Sequence, residues 1–114
     1  MSSGLEEFAA AYMEAAVFTE GGPDNPEVDE AEWTVTAITI IEEGCKAFLE
    51  ANKGDIGGRY DMAGHDFWLT RNGHGAGFWD GDWPEEAGER LTEAAEKTGY
   101  MELYVGDDGF IYIC

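Results

Sequence analysis

Residues 64–80 read GHDFWLTRNGHGAGFWD, and the reading of this string decides the fold. From His65 to Arg71 the residues alternate well enough for a β-strand, and Asn72-Gly73 between apolar runs is a strong hairpin signal. Ala76 to Asp80 supplies a returning strand. Neighbouring residues on a strand point to opposite faces, so Phe67 and Trp68 cannot enter one core, nor can Phe78 and Trp79. One aromatic row then lies on each face. Either helices cover both, or Trp68 and Trp79 are left for a partner or a second copy of the chain.

Outward from this string the pattern is helical on both sides. Leu5, Phe8, Ala9, Tyr12, Met13 and Ala16 repeat at helical spacing, and Ser3 with Glu6 has the form of a capping box, which predicts a helix from Ser3 to Phe18. Gly21 to Pro26 forms a loop. Trp33 to Asn52 is rich in β-branched residues, yet Trp33, Ala37, Ile41, Phe48 and Ala51 share a helical stripe, so a second helix is predicted from Glu30 to Asn52. Asp55 to Gly64 is a Gly-rich connector. Asp82, Pro84 and Glu85 write a helix start, Ala87, Leu91 and Ala95 its buried stripe and Gly99 its stop. Tyr100 to Val105 and Phe110 to Ile113 make a second hairpin around Asp107 to Gly109. The expected fold is α+β, one domain over residues 1–114. It has three helices on an antiparallel four-stranded sheet in the order α-α-ββ-α-ββ, with an acidic helical half (1–54) and a hairpin-helix-hairpin half (64–114).

The string at 64–80, continuing through the third helix and last hairpin, resembles a segment carried by small acidic proteins of bacteriophages and mobile elements. The resemblance covers roughly the C-terminal half. It implies a viral context and brings no assigned catalytic or binding residues.

Charge narrows the function classes. The chain has 25 Asp and Glu against 6 Lys and Arg, a formal charge of -19 over 114 residues. From Glu6 to Glu43 no Lys, Arg or His stands among the carboxylates. Nucleic acid and anionic membranes are poor ligands for such a surface, because their binding displaces counterions with cationic residues. A basic protein is the natural complement. The densest cluster, Asp24, Glu27, Asp29, Glu30 and Glu32, together with Glu42 and Glu43, is the candidate partner surface. Solubility in a high-salt cytosol is the bland alternative. Hydrophobic residues at 44% and aromatics at 13% place the acid on a fold, not on a disordered tail.

Other chemistry is thin. The glycine-rich Thr70 to Gly77 segment holds Arg71, Asn72 and His74, which can cradle an anion in a small enzyme or ligand-binding module, or can simply build a turn. His65, His74, Asp66 and Asp80 offer metal-ligand chemistry but no compact motif such as Cys-x-x-Cys, so no metal or cofactor is expected. Cys45 and Cys114 imply no disulfide framework and read as thiols of a reducing cytosol. The Met-Ser-Ser-Gly start has neither a basic nor an apolar leader region, and no apolar run reaches the roughly 18 residues of a membrane span. The expectation is a cytoplasmic, non-enzymatic phage-type inhibitor of a host nucleic-acid-binding defence protein, of the anti-restriction or anti-CRISPR kind, acting as a nucleic-acid mimic.

Overall fold

The computed structural model describes residues 3–21, 23, 25–73, 77–79 and 82–113. In chain order these form α1 (Ser3–Glu20), α2 (Pro26–Glu30), β1 (Glu32–Trp33), α3 (Val35–Ala51), α4 (Lys53–Ile56), α5 (Tyr60–Arg71), α6 (Glu85–Lys97), β2 (Leu103–Val105) and β3 (Phe110–Ile113). The described chain is mostly helical, with a small sheet in the order β1-β3-β2. β1 pairs parallel to β3, and β2 pairs antiparallel to it.

The expected four-stranded antiparallel sheet is therefore absent among the described residues, and the string at 64–80 is the reason. His65 to Arg71 is the second half of α5, not a strand. Residues 66 to 71 are all buried, so this helix turns apolar or committed polar groups in every direction. A helix buried all round has no polar face, and the 3.6-residue period that betrays amphipathic helices is lost. Asn72-Gly73 closes the helix instead of turning a hairpin. Asn72 is its C-cap, and Gly73 has a φ of 71°, the left-handed geometry for which glycine is favoured one residue past a helix end. The predicted returning strand begins at Ala76 and ends at Asp80, both outside the described residues, and Gly77 to Trp79 is not a strand.

Recasting the strand as a helix also corrects the two-faced aromatic row. Phe67 and Trp68 are both buried, since neighbours on a helix are separated by about 100° and a helix enclosed on all sides sends both inward. Phe67 stacks on Phe48 of α3 with ring centroids 4.0 Å apart, while Tyr12 meets Trp68 edge to face at 5.5 Å. Gly64 permits the close approach of α1 and α5, because a Cβ there would collide with the Phe8 carbonyl.

The second predicted helix divides. Glu30 ends α2, Glu32 and Trp33 enter the sheet, and Thr34 restarts the chain as the N-cap of α3. Thr34 Oγ1 accepts from Ala37 N at 3.1 Å and donates to the Ile111 carbonyl at 2.9 Å, so one side chain caps α3 and fixes it to β3. The first helix runs two residues past its predicted end, to Glu20. α6 lies where the spacing puts it, and the C-terminal hairpin pairs Phe110–Ile113 with Leu103–Val105 only, Tyr100 to Glu102 of the expected strand lying outside the pairing. One apolar cluster joins Phe8 of α1 to Ile111 of β3, so the two halves drawn from the sequence share a core. Among the described residues no helix is long and apolar enough to cross a membrane.

Candidate functional site: an acid-rimmed aromatic groove

α6 is the best-written helix of the chain. Pro84 stands at its N-cap position, Glu85 and Glu86 face the positive end of the helix dipole, and Lys97 lies at the negative end. Ala87, Gly88, Leu91 and Ala95 are buried. The outward side carries Glu85, Glu89, Glu93 and Glu96, all exposed. Arg90 interrupts this acidity only in sequence. Its guanidinium forks onto Asp55 with nitrogen-oxygen distances of 2.8 and 2.7 Å, and these hydrogen bonds hold the Asp55 carboxyl below its ordinary pKa.

Between α6 and the residues Phe78, Trp79, Trp83 and Pro84 lies an open groove of about 540 Å³. Phe78, Trp79, Trp83, Pro84 and Gly88 give it an apolar lining, and Glu85, Glu89, Glu93 and Glu96 rim it, with Thr92 between. Trp79 leaves 47% of its surface exposed, whereas Phe78 and Trp83 are buried at 1% and 5%. The floor is held in place. Phe78 and Trp83 meet edge to face at 5.4 Å, and the Trp83 indole donates to Asp66 Oδ2 at 2.7 Å. A Cβ on Gly88 would lie 2.7 Å from the Phe78 carbonyl, so glycine lets the segment press onto the helix. Such a surface can seat an apolar side chain and offer carboxylates to cations beside it.

The residues singled out from sequence are scattered around this groove. Trp79 belongs to it. Trp68, expected at a partner surface, is in the core, its indole donating to the Thr19 hydroxyl at 2.7 Å. Glu27, Asp29 and Glu30 are exposed on α2, Glu32 on β1, and Glu42 and Glu43 on α3. Asp24 lies outside the described residues. Arg71 is buried at the end of α5. It donates Nε to the Gly99 carbonyl at 2.9 Å, Nη2 to the Thr98 carbonyl at 3.2 Å and Nη1 to the Tyr12 hydroxyl at 3.2 Å. These bonds spend the fork on the C-terminal end of α6. Asn72 donates to the Trp68 carbonyl and accepts from Met101 N at 2.9 Å, while His74 lies outside the described residues.

His65 Nδ1 is 3.3 Å from Asp66 Oδ1, and Asp80 lies outside the described residues, among which no three His, Cys, Asp or Glu gather as a metal site. Burial pushes the Cys45 thiol up to about 12, which keeps it protonated at neutral pH and unlike an activated nucleophile. The acidic row on α6 escaped the sequence reading, which looked to the cation-free first half. The spacing of 85, 89 and 93, with 96 one turn on, is its signal. Compared with protein-family models, with curated proteins and with solved structures, the chain finds no match.

Proposed function

We propose that this is a non-catalytic binding protein that occupies the cationic surface of a basic, nucleic-acid-binding protein in place of its nucleic acid. The charge spacing on α6 carries the reading. A helix rises about 1.5 Å per residue, so Glu85 to Glu96 spans roughly 16 Å. With Glu86, Glu89 and Glu93 between them, that is about one carboxylate every 4 Å, comparable to the roughly 3.4 Å between charges along one strand of duplex DNA. Carboxylates fixed on a folded helix gain the counterion release that nucleic acid gains from the same basic groove, without the flexibility of an acidic tail. The exposed acids of α2 and β1 extend the charge beyond α6. The target class we propose is a host defence factor, such as a restriction, CRISPR or repair protein.

The test is displacement. A host protein captured on the immobilised chain is loaded with a fluorescent duplex, and the chain is titrated in. The expected result is release of duplex near one equivalent at low salt, lost as salt rises, because exposed charges are screened over about 8 Å at physiological ionic strength. Tight binding of the duplex by the chain itself overturns the proposal.

A further inference from the structure

Charge alone does not require the groove. A nucleic-acid mimic needs anions at the right spacing, yet beside α6 this protein keeps a half-exposed Trp79 and an apolar floor. Large aromatics that line a recess and stay partly solvated are characteristic anchors of protein interfaces. The floor is rigid before anything binds, since Asp66 holds the Trp83 indole and Gly88 admits the Phe78 backbone. Preorganisation of this kind removes part of the ordering cost of association.

The rim specifies the charge of the occupant. An anionic ligand meets Glu85, Glu89, Glu93 and Glu96, while Arg90 on the same helix is turned onto Asp55 and the Arg59 guanidinium lies over the Trp83 ring at 5.5 Å. A neutral apolar ligand fits the floor but leaves the rim unanswered. Three turns of carboxylates along about 16 Å are also more than a single small cation can engage. Their separation of about 6 Å per turn matches alternate residues of an extended chain, which advance about 6.6 Å, as well as one turn of a facing helix.

We infer that the groove lined by α6 with Phe78, Trp79, Trp83 and Pro84 seats a basic peptide segment of the partner, with one large apolar side chain against Trp79 and Trp83 and Lys or Arg side chains on the Glu89 and Glu93 rim. This rests on the reading that the partner is a basic protein, and adds that recognition is apolar as well as electrostatic. The half-exposed Trp79 ring adds cation–π attraction to a partner cation, as Trp83 already does to Arg59 within the chain.

The probe is a short Trp-free peptide of Lys and Leu, with binding read from Trp fluorescence. A second peptide replaces each Leu by Ser at equal charge. The expected result is binding of the Leu peptide to the wild type, weakened about tenfold or more by Thr92→Arg and by Glu89→Gln with Glu93→Gln, and left in place by the charge-matched pair Glu7→Gln with Glu14→Gln. The Ser peptide should bind at least about tenfold more weakly than the Leu peptide. Circular-dichroism melts check that each variant is folded. Equal binding of the two peptides, or equal loss in both Gln pairs, overturns the groove and leaves the basic-partner reading standing. So does failure of the Leu peptide while the chain still displaces duplex from its captured protein. Failure of both experiments removes the two together.

Discussion

Trp83 Nε1 donates to Asp66 Oδ2 across 2.7 Å, tying the segment before α6 to the middle of α5. Both residues are buried, and the other carboxylate oxygen of Asp66 faces His65 Nδ1 at 3.3 Å. Trp83→Phe keeps most of the apolar volume and strands a carboxylate oxygen, so it should destabilise the fold by about 1–3 kcal/mol, read as a shift in urea midpoint. Asp66→Asn, which retains an acceptor for the indole, should cost less.

Arg71 gives opposite expectations for a structural and a ligand-binding role. Because its guanidinium caps the Thr98 and Gly99 carbonyls and meets the buried Tyr12 hydroxyl, Arg71→Met should destabilise by about 1.5–3 kcal/mol through loss of a charged donor shared by all three. Inorganic phosphate should give the wild type no thermal stabilisation that the variant loses. A phosphate-dependent rise in melting temperature, abolished by Arg71→Met, would restore an anion site at this corner.

Gly64 faces the backbone of α1 and has no room for a side chain. Gly64→Ala should therefore cost about 1–3 kcal/mol by overpacking, although alanine is the better helix former by about 1 kcal/mol. Gly44, on α3 with open space where a Cβ would go, is the matched control. Gly44→Ala should be neutral or stabilising in the same melt.

Burial pushes the Cys45 thiol from 9.0 to about 12 and the Tyr12 phenol from 10.0 to about 12, both against the pull of nearby Arg71. Both groups are neutral when protonated, and in the unfolded chain they ionise first. Their contribution is thus complete below about pH 9 and is lost as pH climbs toward 12. The urea midpoint should fall across that window, and Cys45→Ala should make the fall shallower. A midpoint independent of pH there would show both groups to be solvated.

Screening acts on the whole surface. Like charges in such excess repel, so moderate salt should raise the melting temperature while weakening attachment to a basic partner. A mimic should be folded in dilute buffer, whereas acidity evolved for a high-salt cytosol should leave the chain unfolded until salt is molar. Reversing Glu27, Glu30 and Glu32 to Lys should reduce partner binding with little change in stability, since surface substitutions move it by less than about 0.5 kcal/mol.

Legibility followed the number of solvent-facing sides each element has. α6 has one buried stripe, Ala87, Leu91 and Ala95, and one acidic side, so period and caps both identify it. The C-terminal hairpin shows β-branched and aromatic residues around an Asp-Asp-Gly turn. α5 has buried groups all round, and its Asn72-Gly73 ending is chemically the same as a hairpin turn, because both need a left-handed glycine. Gly64 looked like part of a connector, when the closeness of Phe8 is what selects it. The acid was visible at once. The groove is not legible there, because it depends on Trp79 and α6 meeting in space, and alternation in the sequence assigns Trp79 to a strand.

The parallel pairing of Trp33 with Ile111 has a consequence for how this protein is made. β3 is the middle strand of the sheet and follows every other described element in chain order. α1, α3 and α5 can gather their aromatic rings while synthesis continues, but β1 waits without a neighbour until Phe110–Ile113 arrives. In vectorial folding the sheet thus forms after these helices, slowed by the long loop it must close. Until then the Ile111 carbonyl that Thr34 binds does not yet exist, and the start of α3 is secured only by its own cap.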